Sequence, residues 1–331
     1  MSFPDGVLII DKPPGPTSHD VVAVARRAIG RTAAGGRPAR GESGHIARGG
    51  AAAVKAPAMK VGHTGTLDPL ASGVLPLVLG RATRLAQFLS STDKEYEAEI
   101  RLGISTTTYD RAGAPVEPPS TRQVSDVTAA EIEAAVAAFR GTQMQQPPSF
   151  SAKKIDGERA YDLARRKAPV LLHPSEVAAH SLDIIEWNGD RLRLRLVCSA
   201  GFYVRSLAQG IGDRLGTGAH LAALVRTRSG DFSLISAVTL ATLDHDPDQA
   251  AAKVIPLNQL LPSLPALTLT EKGAVLAAKG GFISTAHLDG SQPVPAAGKV
   301  RLLHPDGHLV AIAEQRPAGP VGFLHPGVVL E

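Results

Sequence analysis

Residues 94–102, KEYEAEIRL, alternate at every step, with Tyr96, Ala98, Ile100 and Leu102 on one face and Glu95, Glu97, Glu99 and Arg101 on the other. That period of two predicts a strand with one buried face. Residues 191–197, RLRLRLV, repeat the pattern with arginines outside. An apolar run from Val7 to Ile10, stopped by DKPPGPTS, predicts a buried strand entering a rigid loop. Helical spacing takes over elsewhere. Ser18 precedes Val21, Val22, Ala25 and Ile29; Tyr203, Leu207, Ile211 and Leu215 recur every four; Thr128 and Glu131 form a capping box for a helix ending at Gly141. Strands and helices interleave without βαβ regularity, which predicts an α+β domain with a mixed or antiparallel sheet.

Pro256, Pro262 and Pro265 mark a hinge region, followed by a helix over 271–279 and strand-like pieces in KVRLLHPDGHLVAIAE, where Asp306-Gly307 signals a hairpin. The expected division is a larger α+β domain over 1–262 and a small β-rich module over 263–331. Within the first, about 31–59 is rich in Gly, Ala and Arg with almost no large apolar residue, so it reads as a mobile basic insertion.

Composition narrows the function classes. With 331 residues, 44% hydrophobic and 20% charged, the chain can bury a sizeable core. Its basic residues are unevenly placed: nine against four acids in 1–60, and seven arginines against Asp213 alone in 191–230. Local basic surfaces of this kind suit nucleic acid, although a solvated face can look the same. Aromatic content of 4% argues against a general single-strand stacking platform. Cys198 is the single cysteine, which excludes an internal disulfide and a cysteine-based zinc site. His304 and His308 stand four apart in a turn with no third ligand evident, so no metal is expected. The opening MSFPDGVLIIDKPPG has no basic leader, and the stretch Ala71–Leu79 is interrupted by Gly73 and Pro76. A cytoplasmic protein without a membrane span is the expectation.

The chemistry centres on VGHTGTLDPLASGVLPLVLG, residues 61–80, where Asp68 sits in a turn of glycines, threonines and a proline. The Walker pattern is absent, because no Lys-Ser/Thr pair follows the last glycine. An Asx-type turn ahead of Pro69 is the plain structural reading. Glycoside hydrolysis normally takes two carboxylates, and the turn offers one. A lone carboxylate suits nucleophilic attack if a cation keeps it ionised, and Arg205 in GFYVRSL is the best candidate for that cation. Gly62 and Gly65 are expected to let the backbone approach a ligand closely.

Five segments form a set: GVLIIDKPPGPTS, GHTGTLDPLASGVLPLVLGRATRL, KEYEAEIRLG, QQPPSFSAKKIDGERAYDLAR and CSAGFYVRSLAQGIGDRLGTGAHLAALVRTRSGDF. Together, in this order over about 6–30 and 60–262, they resemble the bacterial tRNA pseudouridine synthase B (TruB) family. The resemblance implies a pseudouridine synthase fold with a C-terminal PUA-type RNA-binding domain. It implies isomerisation of the T-arm uridine at tRNA position 55, by breaking the N1–C1′ bond, turning the base and rejoining through C5. Asp68 then matches the catalytic aspartate, whether by attack on C1′ or through a glycal. Tyr96 matches the tyrosine that lies against the target base, a candidate for proton abstraction, and Arg205 the arginine paired with the aspartate. His63 matches the histidine that fills the space left by the flipped base, Leu224 an apolar pocket residue or core leucine, and Lys12 a support beneath the site. Thr66 and Tyr203 are carried over as substrate-side residues, Tyr203 equally as packing. Lys153, Lys154, Arg226 and Arg228, with the arginine-faced strand, are expected at the RNA backbone, residues 146–166 forming a basic clamp. No cofactor and no obligate protein partner are implied, and the chain is expected to act as a monomer.

Two departures stand out. The segment from Arg31 to Met59 is longer than the family's link, and Thr107 stands where the family commonly has an acid. Two readings compete: an RNA-folding or RNA-binding protein without catalysis, and a guide-dependent relative needing partner proteins.

Overall fold

The computed structural model describes residues 3–33, 59–117, 120, 122–148, 154–155, 158–159, 173–290, 292–295, 297–315 and 323–331. The basic insertion over 34–58 and most of the 146–166 segment lie outside the described residues.

The catalytic unit runs through β1 (Gly6–Lys12), α1 (Ser18–Ala33), β2 (Val61–His63), β3 (Ala71–Leu79) and β4 (Lys94–Leu102). It continues with α2 (Ala129–Ala137), β5 (Gly141–Gln145), β6 (Ser175–Asn188), β7 (Arg191–Cys198), α3 (Val204–Leu215), β8 (Ala219–Ser229) and β9 (Val238–Thr239). The main sheet has the order β9-β1-β3-β8-β4-β7-β6-β5, with β2 pairing along β3. Pairs β1–β9 and β3–β8 are parallel and the remaining neighbours antiparallel, so the sheet is mixed, as expected from the pattern.

β4 lies between β8 and β7 and keeps its alternation, with Tyr96, Ala98, Ile100 and Leu102 all buried. The glutamates on its other face meet the arginines of β7. Arg195 Nη2 is 3.0 Å from Glu97, Arg193 is 3.8 Å from Glu97 and 3.4 Å from Glu186, and Arg191 pairs with Glu99. The arginines of β7 thus form a cross-strand ladder on the face opposite Tyr96, each keeping about half of its side chain exposed. Exposed pairs of this type contribute about 0–1 kcal/mol each.

β1 and β3 do not alternate because both their faces are covered. Leu8, Ile10, Leu75, Leu77 and Leu79 pack with α1 in the larger core, while Val7, Ile9, Val74 and Val78 face a second cluster. Pro76 is tolerated in β3 because on its β8 side pairing ends at Gly73, and β2 begins only at Leu77.

The second cluster joins the C-terminal module to the back of the sheet. That module consists of β10 (Ala266–Thr268), α4 (Glu271–Ala278), β11 (Lys299–Leu303), β12 (Leu309–Gln315) and β13 (Leu324–Val329), in the sheet order β10-β11-β12-β13. Leu309, Ile312 and Leu330 pack with Val7, Ile9, Val74 and Val78. The expected hinge is also corrected: Ile255 and Pro256 pair with β1, and Leu260 and Leu261 are buried in the shared cluster. No described helix is long and apolar enough to cross a membrane.

β3 and β8 approach most closely at Gly73, whose φ is +98° and where a Cβ would overlap the carbonyl oxygen of Arg226. Gly73→Ala should thus destabilise the protein by about 1–3 kcal/mol from overpacking, with further cost from the left-handed backbone. Urea unfolding would show it; a midpoint within error of the parent would mean that the sheet yields at this crossing.

Candidate active site

The Asp68 turn is held from two sides. Ala71 N donates to Asp68 O at 3.0 Å, closing the turn around Pro69. From the loop after β1, Gly15 N donates to Pro69 O at 2.7 Å and buried Lys12 Nζ donates to Ala71 O at 2.7 Å and Pro13 O at 2.9 Å. Ser18 Oγ accepts from Leu67 N at 2.9 Å and donates to Leu67 O at 3.1 Å. Lys12 is therefore a support under the acid. Burial pulls its ammonium down to about 8, with Asp68 opposing.

Arg226 supplies the second brace. It is 1% exposed, donating from Nε to Val74 O at 2.7 Å and from Nη2 to Gly65 O at 3.0 Å. This corrects its expected place at the RNA backbone, since both ends of the guanidinium serve the protein's own carbonyls. Arg228 keeps 37% of its side chain exposed, 3.6 Å from Glu95. Gly65 does adopt a left-handed φ of +84° in the turn; Gly62 lies within β2, facing Val78, and is not at the site.

Arg205 stands in the first turn of α3, and the start of that helix is pinned by Gln145 at the end of β5. Tyr203 N donates to Gln145 Oε1 at 2.7 Å, Gln145 Nε2 donates to Tyr203 O at 3.0 Å, and Ser206 Oγ donates to Gln146 O at 2.8 Å. Thus fixed, Arg205 Nη2 donates to Asp68 Oδ1 at 3.2 Å and Nε lies 2.8 Å from Oδ2, a forked pair. Its Nη1 donates to Thr108 O at 3.3 Å and lies 3.8 Å from Asp110 Oδ2.

Asp110 is absent from the sequence-derived set. It is 6% exposed and is oriented by Thr108 Oγ1 at 2.7 Å and Ala112 N at 2.9 Å. Thr107, by contrast, is exposed. The signal was available: ISTTTYDRAG is a second lone acid in a threonine-rich turn. Lys94 was missed too; it lines the same cavity, donates to Ser90 O at 2.6 Å and to Thr92 O, and is lowered by burial to about 8.

Asp68, Thr66, Tyr96, Tyr203, Arg205 and Leu224 come together around a cavity of about 220 Å³. Adjacent strand registers explain part of this, because Arg226 of β8 lies opposite Tyr96 of β4 and Leu224 opposite Ala71 of β3. Thr66 is exposed at the rim. His63 is not among the described residues lining the cavity; half-buried at the end of β2, it meets His19 edge-on with ring centroids 5.8 Å apart. Lys153 lies outside the described residues, and Lys154 falls in a two-residue strand, 154–155, paired with 158–159.

Asp68 retains 34% side-chain exposure, enough to meet a ligand. Desolvation raises its carboxyl above the ordinary carboxylate range; Arg205 and Lys12 oppose this, while Asp110 adds to the rise. Burial likewise raises the Tyr96 phenol, with Arg226 opposing. The arrangement can present one oriented carboxylate, countered by a fixed cation, to a flat apolar group lodged over Tyr96 and Leu224.

A lone carboxylate beside a small cavity at the heart of a mixed sheet defines an enzyme of single-acid covalent or acid–base chemistry. Residues 53–204 match the TruB family pseudouridylate synthase N-terminal domain, and 205–262 the tRNA pseudouridylate synthase B C-terminal domain. The chain is 41% identical to tRNA pseudouridine synthase B of Solibacter usitatus over 98% of its length and 100% of that protein. It is 36% identical to the namesake from Geobacillus thermodenitrificans over 97% of this chain and 98% of that one. Among solved structures, a chain of the archaeal box H/ACA sRNP Nop10–Cbf5 complex superposes with TM-score 0.65 at 26% identity, covering 99% of this chain and 87% of that one. The chain belongs to the TruB family of pseudouridylate synthases.

The forked pair and its second acid set a pH dependence. A carboxylate must be ionised to act, so the acid limb of single-turnover rate should lie above the ordinary aspartate range. Asp110→Asn removes a like charge and should move that limb to lower pH, whereas an unmoved limb would show that the two acids do not communicate. Arg205→Lys, which cannot reproduce the fork, should slow the step on the order of a hundredfold.

Proposed function

We propose that the protein converts the T-arm uridine at tRNA position 55 to pseudouridine, with Asp68 as the catalytic carboxylate. The observation that carries this reading is the Asp68–Arg205 fork at a cavity lined by Tyr96 and Leu224, in a chain of this family. The cavity is smaller than the roughly 300–1,000 Å³ of drug-sized sites, a scale suited to one nucleotide unit inserted from a larger molecule. Flipping the uridine out of its stack costs a few kcal/mol, which contacts with Tyr96, Leu224 and the Asp68 turn offset.

Asp68 acts at the sugar, by attack on C1′ or by promoting a glycal; the N1–C1′ bond breaks, the base turns, C5 bonds to C1′ and the C5 proton leaves. The raised Tyr96 phenol stays protonated at neutral pH, which suits it to packing against the base and donating a hydrogen bond better than to taking that proton. Substrate and product are isomers, the proton lost from C5 being matched by one gained at N1, so the balance requires no redox or phosphoryl cofactor. Thr66 at the rim and Tyr203 beside Arg205 contact the substrate, and His63, next to the turn, fills the gap left in the arm. Lys153, Lys154 and Arg228 take the RNA backbone. The C-terminal module acts as a PUA-type domain on tRNA outside the T loop, and the protein works in the cytoplasm as a monomer.

The solved relative is described in a complex with Nop10, within a box H/ACA sRNP. The relatives at 36–41% identity over nearly the whole chain are tRNA pseudouridine synthases B, which favours tRNA itself as the substrate. Incubating the chain with a bare T-arm stem-loop and following tritium released from C5 of uridine tests this directly. Asp68→Asn should release none while filter binding at fixed salt persists, since the amide keeps the shape and loses the carboxylate. Tritium release by that variant would overturn the mechanism, and a parent enzyme inert on the stem-loop would favour a guide-dependent or non-catalytic protein.

A further inference from the structure

The HPDGH turn between β11 and β12 holds two imidazoles with Asp306 between them. The fold turns that carboxylate toward both rings. The rings of His304 and His308 stack with centroids 4.4 Å apart and 15° between their planes. Both Nδ1 atoms face the same oxygen, Asp306 Oδ1, at 3.2 Å from His304 and 2.6 Å from His308. One donor atom from each of the three residues lies within 4.8 Å of the others.

Each ring's other nitrogen also faces a carboxylate. His304 Nε2 is 3.4 Å from Glu271 Oε2 at the start of α4, and His308 Nε2 is 2.6 Å from Glu331 Oε1 at the last residue. We propose that His304, Asp306 and His308 bind a divalent transition-metal cation of the zinc type at the β11–β12 turn.

The chemistry of the donor set selects the ion. Two imidazoles with one carboxylate suit Zn²⁺, Co²⁺ or Ni²⁺, whereas Mg²⁺ prefers an all-oxygen shell. Bonds of about 2.0–2.1 Å to tetrahedral zinc separate neighbouring donors by roughly 3.3 Å, so binding requires the two stacked rings to turn out of parallel until both in-plane lone pairs meet the ion. Asp306 N donates to His304 Nδ1 at 3.3 Å, which requires a lone pair there and leaves the ring proton on Nε2, toward Glu271. His308 has carboxylate oxygens 2.6 Å from both ring nitrogens, so the ion must displace the proton that its Nδ1 shares with Asp306, while Glu271 and Glu331 stand behind the two ligating rings. The turn is built before any ion arrives: His304 N donates to His308 O at 2.9 Å, His308 N to Asp306 Oδ1 at 3.0 Å and Asn258 Nδ2 to Gly307 O at 3.1 Å. Little backbone ordering remains to oppose binding. Water completes the coordination on the exposed side.

The test uses tag-free, full-length protein stripped with chelator, titrated with Zn²⁺ by calorimetry and with Co²⁺ by visible absorption. One equivalent should bind in the micromolar range or tighter, while Mg²⁺ at millimolar concentration should give no heat. His304→Gln and His308→Gln should each abolish that step with unchanged far-ultraviolet circular dichroism, and Glu331→Gln should weaken it about tenfold or more. Absence of a one-equivalent step in the parent, or its survival in both histidine variants, would overturn the site and leave the cluster as an ionic contact alone.

Discussion

The site depends on keeping one carboxylate ionised where the protein excludes most water. Desolvation and the like charge of Asp110 push Asp68 toward its neutral form, and the guanidinium of Arg205 opposes both. A buried charge is tolerated only when its partner is fixed, because a loose pair loses Coulomb attraction faster than it regains hydration. The two members come from distant parts of the chain, and each is anchored separately. Lys12, Gly15 and Ser18 hold the acid's turn, while Gln145 holds the backbone two residues before the arginine. Arg205 is 6% exposed and spans Asp68, Thr108 and Asp110, so it cannot relax away from the acid without leaving Asp110 without its guanidinium.

What could be read from sequence follows from which forces act locally. The strands at 94–102 and 191–198 were legible because one face is buried and the other solvated, and alternation records that difference directly. The helices at 129–137 and 204–215 carried their own caps or spacing. β3 was harder: with both faces buried its apolar run has no period, and Pro76 argued against a strand until its place between two partners was known. The Asp68–Arg205 pair came from motif resemblance, but the ties that hold it did not. Arg226 shows why. In sequence it is one of several arginines in a basic stretch, and only the fold reveals that its guanidinium is enclosed by Val74 and Gly65 carbonyls. Asp110 escaped notice for the complementary reason, since a short acid in a threonine turn is ordinary until a cation is brought beside it.

Charge on the β7 face illustrates the same limit. Three arginines in alternation read as an RNA-facing stripe, yet the glutamates that satisfy them lie nearly a hundred residues earlier in β4. Net charge per segment describes a long-range field, whereas contact chemistry depends on strand register, and register is a tertiary property.

The two-faced burial of β1 and β3 also changes how the C-terminal module is understood. Lys12 ends β1 and the Asp68 turn leads into β3, so the strands that carry the acid's supports are the same ones whose rear face the module covers. Val7, Ile9, Val74 and Val78 share one buried cluster with Leu309, Ile312 and Leu330 of the module and with Leu85, Leu260 and Leu261, and burying an aliphatic side chain contributes roughly 1.5–3 kcal/mol. Arg81 Nη1 adds a hydrogen bond to Leu330 O at 3.0 Å, and Arg84 donates to Val329 O. A module attached in this way cannot be deleted without uncovering strands that carry the acid's supports, so a loss of RNA binding on deletion would not by itself place RNA on its outer surface. Its contribution to RNA binding is therefore separable only through exposed side chains that leave the shared apolar cluster intact.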